Sequence, residues 1–194
     1  MKLTGGVKSI FFSVIFVLML IHSNFVMANS AEFEIEEIIT AIKQDIQTAI
    51  MTGSGSPNFE IKTVSTVLTV VSTVTHKGIL MIKVAGVDDQ AKGQTLDRGS
   101  YHKLSFTFTP SGTPGFSPEA SFGLVEPINK IKSSMRKAYN NPPSENFDAF
   151  TITLQFAIEK ADDGGISFNI IDVNDFKAQN IATHYVTIYM KIGN

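Results

Sequence analysis

Three histidines, three acidic clusters and one glycine-serine run are the residues of this chain outside its first segment with the types to do chemistry. His102 and His184 each stand just before an alternating apolar run, so they are candidates for a paired polar site that binds metal or switches with pH. The competing reading is a histidine in each place that caps a strand or bonds a loop carbonyl. His76 sits in His76-Lys77-Gly78 and reads as a solvated turn residue. No H-E-x-x-H or similar ligand spacing occurs. Asp88-Asp89 and Asp162-Asp163 fall in polar loops, where Asp serves turn geometry. Asp172-Val173-Asn174-Asp175 begins like a calcium loop but lacks the central Gly and terminal Glu. Gly53-Ser54-Gly55-Ser56-Pro57 has no following Lys-Ser/Thr and no preceding strand, so it is a linker and not a phosphate loop. No serine lies in a G-x-S-x-G elbow. Without Cys there is no thiolate nucleophile, disulfide or Cys-ligated metal. We expect no catalytic residues, no cofactor and no metal.

The first segment is of another kind. Lys2 and Lys8 precede an apolar run from Ile10 to Ile21 broken only by Ser13. A polar break at His22-Ser23-Asn24 leads to Val26-Met27-Ala28. This is the pattern of a signal peptide over residues 1–28, cut between Ala28 and Asn29. The run is short of the about 20 apolar residues a bilayer span needs. The expected protein is exported, periplasmic or secreted, with no membrane span after cleavage. Of 194 residues, 166 then remain, enough for one domain or two small ones. Loss of Lys2 and Lys8 with no acid moves the net charge from −2 to −4. A mildly acidic chain without basic clusters argues against nucleic acid as a partner.

The elements needed to hold these residues recur twice. Ile35, Ile38, Ile39, Ile42, Ile46, Ala49 and Ile50 form one stripe of a helix over residues 34–51. Residues 59–75 are Val/Thr/Ile-rich, one bent strand or two. The turn at Gly78 joins them to a strand through Leu80, Ile82 and Val84. A third strand carries Leu104, Phe106 and Phe108. A Pro/Gly-rich linker, residues 111–121, follows. Then Ile128, Ile131, Met135 and Ala138 mark a second helix. Pro127 is tolerable only in its first turn. Ile152 to Ile158, Ile166 to Ile170 and Val186 to Ile192 alternate as strands.

The second series follows the first at an offset of 89 in the helix, 86 in the first two strands and 82 in the last. His184 thereby falls on His102. The expected architecture is α+β: a first αβββ module over 29–110 and a second over 122–194, with antiparallel sheets and a pseudo-twofold relation. The sheets are either joined into one or packed face to face.

The first module resembles the trypsin-co-occurring domain of the second type over about residues 33–110. The likeness is carried by Ile39-Thr40-Ala41-Ile42-Lys43-Gln44-Asp45-Ile46-Gln47-Thr48-Ala49. It continues through the Val-rich strand 64–75 and the ending His102-Lys103-Leu104-Ser105-Phe106-Thr107-Phe108-Thr109-Pro110. In the second module Ser134 replaces the acid matched by Asp45, Pro127 enters the first turn, and no Pro closes the last strand. The resemblance implies a small non-catalytic adaptor associated with trypsin-like serine peptidases. The expected function is an exported interaction module with a protein partner. The alternative is a small-ligand or lipid carrier with an apolar pocket between the modules.

Overall fold

The computed structural model describes residues 31–74, 77–86, 101–111, 121–141, 147–161, 164–171 and 183–193. The signal segment with Ala28 and Asn29, His76, Asp88, Asp89, Asp162, Asp163 and 172–175 lie outside the described residues.

The described residues form two helices and seven strands: β1 (Glu32–Phe33), α1 (Ile35–Thr52), β2 (Phe59–Val74), β3 (Leu80–Ala85), β4 (Tyr101–Phe108), α2 (Val125–Asn140), β5 (Ala149–Lys160), β6 (Ile166–Ile170) and β7 (His184–Ile192). The class is α+β. All strands join one antiparallel sheet in the order β1-β3-β2-β7-β5-β6, with β4 added to β2.

The sixteen-residue β2 organises everything else. Its Val64–Val71 pairs with β4 along one edge. Both β7, on residues 59–67, and β3, on residues 70–74, overlap that stretch, so they share the opposite edge end to end. β2 bulges between Ile61 and Thr63, a device that bends a strand and strengthens its twist.

Side-chain alternation then builds one core. Val64, Leu68, Leu154, Phe156, Ile158, Val186, Ile188 and Met190 are buried with Ile38, Ile42, Ile46 and Ala49 of α1 and Ile128 of α2. The short β1 was not foreseen. It pairs with the end of β3 and buries Phe33. Two other expectations change. Ala138, placed on the apolar stripe of α2, is exposed, and Lys132 is buried instead. Leu80 and Ile82 have the alternation of a core strand but are 60% and 46% exposed, because this end of the hairpin runs past the core; only Val84 of that trio is buried.

Candidate functional site

Two polar constellations and one apolar strand stand out. The first joins the helices. Asp45, on the inner face of α1, accepts Phe122 N at 2.9 Å and Leu124 N at 2.7 Å. Leu124 is the N-cap of α2 and offers no side-chain cap of its own. A carboxylate from the neighbouring helix therefore satisfies the orphan amides and the positive dipole end. Burial pushes the Asp45 carboxyl up from its usual range, and the amides of Leu124, Phe122 and Gly123 and the Ser121 hydroxyl oppose that shift.

The reverse contacts close the other end. α1 carries no basic residue in its last turn. Lys132 of α2 donates to Ala49 O at 3.2 Å, and Arg136 donates to Gly53 O and to Pro57 O. Gly53 leaves the space: a Cβ there would overlap the Lys132 ammonium and Asn129 Oδ1. Burial, then the nearby Arg136 charge, lower the Lys132 pKa to about 8. Both ends of this helix pair are held by charges from across the seam.

The second constellation fills the gap where β2 passes from β7 to β3. His184 is fully buried. Its Nδ1 accepts Thr69 N at 3.2 Å, and its Nε2 lies 2.9 Å from Ala85 O. An amide donates and a carbonyl accepts, so the ring is the neutral Nε2–H tautomer. The imidazole does the work of a backbone rung between strands that end there. Burial is the main cause that lowers its pKa to about 4; the Ala85 carbonyl opposes this, and Lys103 adds to it. Lys103 Nζ donates to Thr69 Oγ1 at 2.7 Å and to Thr183 O at 3.3 Å, on the far side of the sheet from the core.

The two histidines are not brought together as a site. His102 is exposed on β4 and lies 3.1 Å from Ser72 Oγ, whereas His184 is spent on Thr69 and Ala85. They share no hydrogen-bond partner and stand on strands at opposite edges of β2. Among the described residues no group of three His, Asp or Glu could hold a metal ion. No helix among them is long and apolar enough to cross a membrane.

Two clefts, of about 360 and 430 Å³, flank the Thr109–Pro110 end of β4. One faces Thr40, Lys43 and Gln44 of α1, the other Glu60 and Lys62 of β2. Every lining residue lies between residues 40 and 111.

The apolar strand is the free end of β3. Leu80, Met81 and Ile82 are 60%, 40% and 46% exposed, and Ile79, just ahead of the strand, is 59% exposed. Adjacent strand residues point to opposite faces, so both faces of this segment are greasy. β1 covers β3 only at Val84 and Ala85. The outer edge of Leu80–Lys83 pairs with no strand among the described residues. Here the sequence carried a readable signal that alternation concealed: four consecutive apolar residues next to a turn, which a strand with one buried face does not need. Asp45 and Lys132 had no such signal, since a cap supplied from another helix has no local spacing. Comparison with known proteins leaves the chain standing by itself: no family model, no curated protein and no solved structure matches it.

Proposed function

We propose that the mature chain is an exported, non-catalytic interaction module, built as a tandem pair of αβββ units, that binds a protein partner through the free end of β3. The observation that carries this reading is the exposed Leu80–Ile82 segment, whose outer edge pairs with no strand among the described residues. An extended partner segment added there gains backbone bonds from the edge and covers apolar side chains on both faces. Each such side chain is worth about 1.5–3 kcal/mol when fully buried. The partner class, a trypsin-like serine peptidase, rests on the resemblance of residues 33–110.

The non-catalytic part is supported by where the polar groups go. Both nitrogens of His184 are committed to backbone, and Asp45 and Lys132 hold helix ends. None is free to act as base, acid or nucleophile. The clefts beside Thr109 and Pro110 are lined by residues of the first unit alone, so the carrier alternative, which needs a pocket shared by both units, gains nothing from them.

Strand registers support the tandem reading. β2 pairs Val70 with Val84; 86 residues further on, β5 pairs Phe156 with Ile170. β2 also pairs Val70 with His102. Advancing the first by 86 and the second by 82 gives Phe156 and His184, which β5 and β7 pair. Advancing α1 by 89 covers residues 124–141, and α2 spans Val125–Asn140. On this reading the units join head to tail and not by a twofold: β7 of the second docks on β2 of the first, and among the described residues β4, its counterpart, pairs with β2 alone.

The test is capture of the peptidase by residues 29–194 carrying either the native β3 or Leu80→Lys with Ile82→Lys. The reading expects capture by the native chain and loss with the charged pair. Equal capture by both overturns it.

A further inference from the structure

We propose that two copies of this chain associate by pairing β4 of one with the N-terminal half of β5 of the other, in the register that already joins β7 to β2 inside each chain. This rests on the tandem reading but not on partner binding at β3.

Besides the end of β3, the edges of β4 and of the N-terminal half of β5 carry no strand partner among the described residues. β4 pairs with β2 alone. On β5, the edge shared with β6 is covered over Phe156–Lys160, and the Ile171 N to Gln155 O bond is the next rung. Ala149–Leu154 of that edge pairs with no described residue. Exposed edges are usually blunted by charge or proline. No proline occurs in Lys103–Thr107 or in Ala149–Thr153, and the one charge is Lys103 at the end of the paired stretch. Leu104, Phe106, Phe150 and Ile152 are each only half-buried against the core.

The internal junction supplies the register. β2 and β7 pair Thr63 with Tyr189, Val64 with Ile188, Ser65 with Thr187, Thr66 with Val186 and Val67 with Tyr185. Moving the β2 residue forward by 86 and the β7 residue back by 82 gives five pairs. They are Ala149 with Thr107, Phe150 with Phe106, Thr151 with Ser105, Ile152 with Leu104 and Thr153 with Lys103.

Backbone direction agrees independently. Gln155 sends its carbonyl to the open edge, so Ala149, Thr151 and Thr153, of the same parity, send both backbone groups there. On β2, Thr69 N points to the β7/β3 edge, so the even residues face β4. Their β4 partners are Leu104, Phe106 and Phe108, which leaves Lys103, Ser105 and Thr107 facing outward. The outward residues of one edge therefore meet the outward residues of the other. The half-buried apolar pairs fall together on the core side, and the outer side brings Thr151 to Ser105, with Ala149 beside Thr107 and Thr153 beside Lys103.

A second copy is the occupant because each chain carries both halves at the two ends of the series β4-β2-β7-β5 and does not join them to each other. A closed pair makes the contact twice.

Sedimentation of the mature chain over a range of concentrations tests association, and single cysteines test register, since the chain has none of its own. The expected result is reversible association that Ser105→Pro or Thr151→Pro abolishes, because each removes an outward N–H that no internal rung uses. Mixing Ser105→Cys chains with Thr151→Cys chains gives a disulfide-linked heterodimer, with far less linkage in either variant alone. A chain that stays monomeric at every concentration overturns the proposal, as does association without the mixed disulfide. The cysteine pair decides the matter even where a proline variant does not fold.

Discussion

Asp45 Oδ2 accepts the Leu124 amide at 2.7 Å, so a carboxylate from the middle of one helix caps the start of the other. Asp45→Ala would leave that amide and the Phe122 amide without their acceptor in a buried place. It should cost about 3 kcal/mol of unfolding free energy. Asp45→Asn should cost less, since its one amide oxygen still serves one donor. Urea denaturation of the three proteins checks this, and an unchanged midpoint for the alanine variant contradicts it.

Lys132 gives the seam a signature in alkali. Its folded pKa of about 8 lies below the ordinary 10.5, so the folded chain releases this proton before the unfolded chain does. The unfolded state then holds more protons, and this group's contribution to stability rises as pH climbs from about 8 to 10.5. Lys132→Met should lack that rise. Melting curves for both proteins across the window compare the slopes.

His184 acts at the acid end. Its pKa is about 4 folded against 6.5 ordinarily, so the unfolded chain takes the proton first as pH falls. The stability is complete above about 6.5 and is lost progressively toward 4, on the order of 3 kcal/mol in all. The geometry gives the same sign: a proton on Nδ1 would face the Thr69 amide that Nδ1 now accepts. His184→Gln should be less stable at neutral pH and flatter across this window. Stability measured at several pH values in that interval is the check.

Gly123 sits at φ +127°, and a Cβ there would run into the Phe168 carbonyl. Gly123→Ala should cost about 2–4 kcal/mol through strain and overlap together. Gly164, at φ +86° with open space around it, sets the comparison. Gly164→Ala should cost only about 1 kcal/mol, from its backbone conformation alone. Thermal melts of the two variants rank them, and equal melting temperatures would contradict the account.

Much of the fold was legible because it rests on periodicity. The stripe through Ile38, Ile42, Ile46 and Ala49 and the alternation through Leu154, Phe156 and Ile158 report burial directly. What was not legible depends on partners distant in sequence. Lys132 reads as a surface residue until Ala49 O and Gly53 are beside it. His184 and His102 look alike in the chain, yet one replaces a missing rung and the other bonds Ser72 at the surface, because β7 ends beside β3 while β4 lies on the outer edge. The exposed end of β3 was hidden by its own regularity, since alternation marks a strand and not whether anything covers it.

The most direct measurement is site-specific photo-cross-linking from position 81, on β3, with residues 29–194 as bait in an envelope extract of the source organism. The account predicts one cross-linked trypsin-like serine peptidase, lost when Leu80→Lys and Ile82→Lys are added while the melting temperature holds. A peptidase recovered equally from the charged variant would contradict it. So would a bait that links no protein and instead retains a small molecule in its native mass spectrum, which would favour the carrier reading.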